Sequence, residues 1–155
     1  MTGQAAGWRI LQGIIDYLSN MDRSLDEWIK GQPPERQAIL RTIHGIVVAG
    51  DATVQPVVKP MMGKQMIVYE ANGTMKYALS SVGQHMTLHV LPIYGAPALS
   101  EKYRKLLPAA RFGKGCINFQ GSADLPPDVV KRLVADCAPI DLARMLQGYR
   151  EKKRR

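Results

Sequence analysis

The chain has 155 residues, of which 46% are hydrophobic and 22% charged. A domain of that length buries about 70% of its unfolded surface, which excludes dependence on a disulfide or metal staple, and the composition excludes wholesale disorder. The net charge is +8, but half of it sits in the last six residues, Arg150, Glu151, Lys152, Lys153, Arg154 and Arg155, so the body is only mildly basic.

Residues 5–19 place Trp8, Leu11, Ile14, Ile15 and Leu18 at helical spacing. Ser24-Leu25-Asp26-Glu27 then reads as a capping box, with Ser24 and Glu27 each serving the other's backbone amide. That box predicts a second, short helix carrying Leu25, Trp28 and Ile29, ended by Gly31 and Pro33-Pro34. A proline at the first helical position with Glu35 behind it opens the next helix. This one runs over 34–48 and buries Ile39, Leu40, Ile43, Ile46 and Val47.

From residue 54 the apolar period changes to that of extended chain. Val54, Val57 and Val58 lead into an irregular bend at Pro60-Met61-Met62-Gly63. Residues 65–71 read as a strand, and Asn72-Gly73 is a two-residue hairpin signal. The return strand, 74–80, alternates Met75, Tyr77 and Leu79 on one face with Lys76, Ala78 and Ser80 on the other. After Gly83, Met86, Leu88 and Val90 share one face of strand 85–91, and His85, Thr87 and His89 share its opposite. A short helix spans 97–107. Arg111-Phe112-Gly113-Lys114-Gly115 precedes a last strand, Cys116-Ile117-Asn118-Phe119. Pro126-Pro127 opens a helix with Val129, Val130, Leu133, Val134 and Cys137 on one face, and a terminal helix begins at Pro139.

Helices, then an antiparallel meander, then helices: segregation of this kind predicts an α+β fold with the helices packed on one face of the sheet and the other face hydrated and polar. The expected organisation is a helical extension over 1–20, an α+β domain over 21–138, and a C-terminal helix with a basic tail over 139–155.

Several segments resemble the YdhG-like family of small bacterial domains. Ser24-Leu25-Asp26-Glu27-Trp28-Ile29 followed by Pro34-Glu35-Arg36 is similar to its N-terminal signature. Lys59-Pro60-Met61 with Gly63-Lys64, and His85-Met86-Thr87-Leu88-His89, are similar to its central segments. Gly113-Lys114-Gly115-Cys116-Ile117-Asn118-Phe119, then Asp124-Leu125-Pro126, is the most specific stretch. The resemblance covers about residues 24–137. It implies a curved antiparallel sheet and a kinship with frataxin-like iron chaperones. In the stretch before the central Pro-Met segment, where relatives carry clustered acids, this chain has a single carboxylate, Asp51. Hard cations prefer clustered oxygen ligands, so the departure weakens the iron reading.

The candidate ligand-binding residues are Lys76, His85, Thr87 and His89 on the polar sheet face, with Lys59, Lys64, Arg111 and Lys114 as a basic surround. His85 and His89 start about 13 Å apart along one strand, too far to share one ion without a bend. His44 lies on the stripe of Leu40 and Val47 and reads as a hydrogen-bonded histidine at the core edge. Gly113-Lys114-Gly115 lacks the full phosphate-loop pattern and precedes a strand, so it reads as a tight turn into an edge strand. The eight methionines, Met61-Met62 among them, read as core filling.

There is no nucleophile elbow. Cys116 and Cys137 lack ligand spacing and read as reduced thiols. No cofactor, metal or catalytic residue is expected. The expectation is a cytoplasmic, non-catalytic binding domain with a small-molecule or protein partner. No apolar run reaches the roughly 18 residues of a membrane span, and no signal peptide is recognised, so a membrane partner is not expected. The alternatives are an iron carrier and a nucleic-acid accessory protein. In the second, Arg150, Lys152, Lys153, Arg154 and Arg155 make weak, nonspecific contacts.

Overall fold

A computed structural model describes residues 3–154, and the side chains of all of these except 3–6, 17, 18 and 21. Leu18 and Arg155 therefore lie outside what is described.

Helix α1 runs unbroken from Gly3 to Lys30. The expected break at Ser24 is absent. Neither glycine nor proline occurs from Ile14 to Lys30, so nothing interrupts the hydrogen-bond ladder, and Ser24 sits mid-helix with its side chain exposed. Burial begins at Leu25 and Ile29, while Trp8, Ile10, Leu11, Ile14 and Ile15 are exposed. Helix α2 spans Pro34–Gly50, with proline in its first turn and Glu35 behind it.

Six antiparallel strands follow: β1 (Gln55–Met61), β2 (Lys64–Ala71), β3 (Thr74–Val82), β4 (His85–Val90), β5 (Arg111–Phe112) and β6 (Cys116–Phe119). Their spatial order is β1-β2-β3-β4-β6-β5. The expected irregular bend at 60–63 is instead a two-residue hairpin. Met62 and Gly63 take φ values of 52° and 78°, close to those of Asn72 and Gly73 in the hairpin that does match expectation. Pro60 is tolerated because β1 is an edge strand. Met62 therefore sits exposed in a turn rather than filling the core. The turn at Gly113-Lys114-Gly115 also differs from expectation: it joins the two-residue edge strand β5 to β6, which is internal. Helices α3 (Leu91–Tyr94) and α4 (Pro97–Leu106) connect β4 to β5, and α5 (Pro127–Cys137) and α6 (Leu142–Arg154) close the chain.

One face of the sheet meets the helices. Ile67, Tyr69, Tyr77, Leu79, Leu88, Val90 and Ile117 pack with Leu40 and Val47 of α2 and with Val130, Leu133 and Val134 of α5. A Cβ on Gly50 would stand 2.7 Å from the Val134 side chain, so the end of α2 approaches α5 closely only because residue 50 is glycine. His44 occupies the rim of this layer as expected: its Nδ1 lies 2.8 Å from the Tyr69 hydroxyl.

The alternation expected in β3 fails at one point. Tyr69 pairs with Tyr77 but Glu70 pairs with Met75, which leaves Lys76 unopposed in a β-bulge. The bulge turns Lys76 onto the helix side with Tyr77, while Met75 joins Met66, Val68 and Ala78 on the far side. Lys76 is thus buried, not on an open polar face as its period-2 position suggests. Its Nζ lies 2.8 Å from Asp51 Oδ2, and it donates to the Ala138 carbonyl at 3.1 Å and to Thr53 Oγ1 at 3.4 Å. Asp51, the single carboxylate of its stretch, also accepts from the Tyr77 hydroxyl at 2.8 Å and from the Thr53 hydroxyl and amide at 2.5 and 3.0 Å. Burial pushes the Asp51 carboxyl up, but bonds from Lys76, Thr53 and Tyr77 outweigh it and hold the group below its ordinary 3.8.

Removing one partner of a buried pair strands the other, at a cost of about 3–5 kcal/mol. Asp51→Ala and Lys76→Met are each expected to destabilise the fold by about that much, and the double variant by clearly less than the sum, in urea unfolding. A depressed folded-state pKa stabilises fully above the unfolded value of 3.8 and is lost as pH falls through the folded value. The acid limb of the stability curve below about pH 4 should therefore be shallower in Asp51→Asn.

Candidate functional site

The far face of the sheet is divided. Its centre is closed and apolar: Met66, Val68 and Ala78 are buried, with Val57, Met61 and Met75 packed around them. A uniformly hydrated face was expected, and this centre departs from it because β1 supplies Val57 and Met61 on one side of β2 and β3 supplies Met75 and Ala78 on the other. Toward β4 and β6 the face turns polar. The register aligns Ser80 with Thr87 and Thr87 with Asn118, and Asn118 with Arg111, so these four form one row across β3, β4, β6 and β5.

At the end of that row lies a cleft of about 390 Å³, lined by His85, Arg111, Asn118, Gln120 and Asp124 among others. Its volume is within the range of small-ligand sites. Each lining group has a structural reason to be there. His85 is the first residue of β4, delivered by the tight turn at Gly83, whose φ is 59°. Arg111 is held opposite Asn118 by the short β5–β6 ladder, is exposed, and makes no ion pair among the described residues. Thr87, 9% exposed, donates its hydroxyl to Asn118 Oδ1 at 2.6 Å. That bond occupies the carbonyl end of the Asn118 amide and leaves its NH2 end as a donor for the cleft. Asp124 Oδ2 accepts the Gln120 amide proton at 2.8 Å and so fixes the loop that closes the cleft.

Of the residues expected to bind, the structure brings His85 and Arg111 into the cleft and places Thr87 behind it. His89 is half-buried on the same face. Burial, then the Lys64 charge, lowers its pKa from 6.5. Lys64 is exposed. Lys59 is half-buried and paired with Glu70. Lys114 is exposed in the β5–β6 turn, away from the cleft lining. Lys76 lies beneath the opposite face and is withdrawn as a surface contact; Thr87 is buried and reaches a ligand only through Asn118. Sequence reasoning passed over Asn118, Gln120 and Asp124 as site residues. No local signal marks them, because the β4–β6 pairing that gathers them spans about thirty residues of chain.

Cys137 is buried, and burial pushes its thiol up to about 12. Among the described residues no three His, Cys, Asp or Glu side chains gather in a way that could hold a metal ion, and no helix is long and apolar enough to cross a membrane. Comparison with family models, curated proteins and solved structures gives no match.

His44 and His89 are both expected to titrate below 6.5 when pH is followed by imidazole NMR, since burial is the leading cause for each. Lys64→Gln should raise His89 part of the way toward 6.5 and leave His44 where it is, because the Lys64 charge acts on His89 alone.

Proposed function

We propose that this chain is a non-catalytic, YdhG-like binding domain that holds a small anion in the cleft at the polar end of its sheet. The observation that carries this reading is the convergence of His85, Arg111 and the donor end of Asn118 on one cleft. Arg111 offers a planar fork suited to a carboxylate or phosphate, and among the described residues it forms no salt bridge, Asp124 of the same cleft being engaged through Oδ2 with the Gln120 amide. Asn118, oriented by Thr87, adds a neutral donor. Gln120 and the free oxygen of Asp124 can pair with ligand hydroxyls, so the chemistry favours a hydroxylated carboxylate or a phosphate monoester over a bare inorganic ion. No serine, threonine, cysteine or lysine lines the cleft, so a hydroxyl, thiol or amine nucleophile beside His85 is missing there, which supports binding rather than turnover.

Isothermal titration with citrate, malate, glycerol 3-phosphate and inorganic phosphate tests the reading. At least one hydroxylated anion should bind. Arg111→Ala should weaken it by tenfold or more, since a charged hydrogen bond contributes about 1.5–3 kcal/mol. Thr87→Val should weaken it by a smaller factor, with the fold intact, because only the Asn118 orientation is lost. Silence from all four probes at millimolar concentration would overturn the reading.

A further inference from the structure

Helix α6 is more than a solvated tail. Its Met145 side chain packs directly on Gly95, where an added Cβ would lie 2.6 Å from Sδ and Cε, so the helix seats against the end of α3. Seated there, Tyr149 of α6 meets Tyr94 of α3 edge to face, with ring centroids 5.6 Å apart and an interplanar angle of 62°. Tyr94 and Tyr149 nevertheless remain 40% and 37% exposed.

Cations surround the two rings. Lys153 Nζ stands 5.3 Å from the Tyr149 ring centroid. A Cβ on Gly115 would lie 3.6 Å from Tyr94 Cβ, which brings the β5–β6 turn, and exposed Lys114 on it, against the same aromatic pair. Arg150, Lys152 and Arg154 continue along the exposed helix. Among the described residues none of these five cations is in a salt bridge. Glu151 is the one acid among residues 142–154.

We infer that Tyr94, Tyr149, Lys114, Lys153 and the basic end of α6 form a surface for single-stranded nucleic acid. Exposed aromatic faces accept unpaired bases of any identity, and flanking cations follow the phosphates. A duplex keeps its base faces stacked inside and offers the tyrosines nothing. An anionic lipid surface would use the cations and seat tyrosine among its headgroups, but it offers no base to stack on a ring face. The pairing of both features in one place favours the single strand.

The test is fluorescence anisotropy of the full chain with a labelled 20-nucleotide oligo(dT). Affinity should fall with salt with a log–log slope near −3.5, from about 0.7 per phosphate contact over five cations. Lys114→Ser and Lys153→Ser should each flatten that slope by about 0.7. Tyr94→Leu and Tyr149→Leu, which keep the packing volume but lose the ring, should each weaken binding about fivefold or more, and Tyr149→Phe should bind as the parent does. Circular dichroism checks that α6 stays folded in each variant. Four results would overturn the inference: no oligo(dT) binding at low salt; tyrosine variants that bind unchanged; duplex DNA bound as tightly as the single strand; or phosphatidylserine vesicles bound without any effect of the tyrosine variants.

Discussion

Lys76 and Asp51 hold three separate parts of the chain in one place. Asp51 ends α2, Lys76 stands in the bulge of β3, and Ala138, whose carbonyl Lys76 also bonds, ends α5. Two opposite charges sealed from water are expensive to separate, so the relative positions of the helix layer and the sheet are constrained more sharply there than apolar packing alone would require. Every buried polar side-chain atom of this network is satisfied. That satisfaction makes the arrangement stable, since a half-paired buried network would be worse than an apolar one.

The bulge that delivers Lys76 also shapes the other face of the sheet. By sending Lys76 inward and Met75 outward, it removes a charge from the far side and adds a thioether, which completes the apolar patch of Met66, Val68 and Ala78. Polar chemistry is thereby confined to the β4–β6–β5 end. There a small antiparallel ladder lines up Ser80, Thr87, Asn118 and Arg111 in a single row. The cleft and its charge follow from that confinement: Arg111 is on an edge strand with solvent beside it, and His85 opens its strand at a turn.

The same β5–β6 hairpin serves two ends of the molecule. Its ladder presents Arg111 and Asn118 to the cleft, while its turn, at Gly113-Lys114-Gly115, packs toward Tyr94 and α6. Glycine at the first of the two turn positions has a steric cause. A Cβ on Gly113 would meet Cys116 Sγ at 2.6 Å, whereas one on Gly115 would make ordinary contact with Leu91 and Tyr94 at 3.6 Å. Close packing thus accounts for Gly113, and the turn sets Lys114 near Tyr149 of α6.

Local pattern alone determined most of the elements. The period-3.6 stripes of α2 and α5, the alternation of Met86, Leu88 and Val90, the Asn72-Gly73 turn and the α+β order are properties of short windows, and short windows were enough. Some errors were also local in origin. Ser24 looked like a cap because its neighbours suit one, yet a chain without a helix breaker continues its ladder through such a residue. Met62-Gly63 lacked the asparagine that advertises a hairpin, although it adopts the same dihedrals as Asn72-Gly73. What only the tertiary structure decided concerns pairing between distant strands. The offset of Glu70 against Met75 reversed the side on which Lys76 lies. The β4–β6 register gathered Thr87, Asn118, Arg111 and His85 from positions 85 to 118 into one site. Strand register depends on hydrogen bonds between segments that the linear order keeps apart, so no window of sequence contains it.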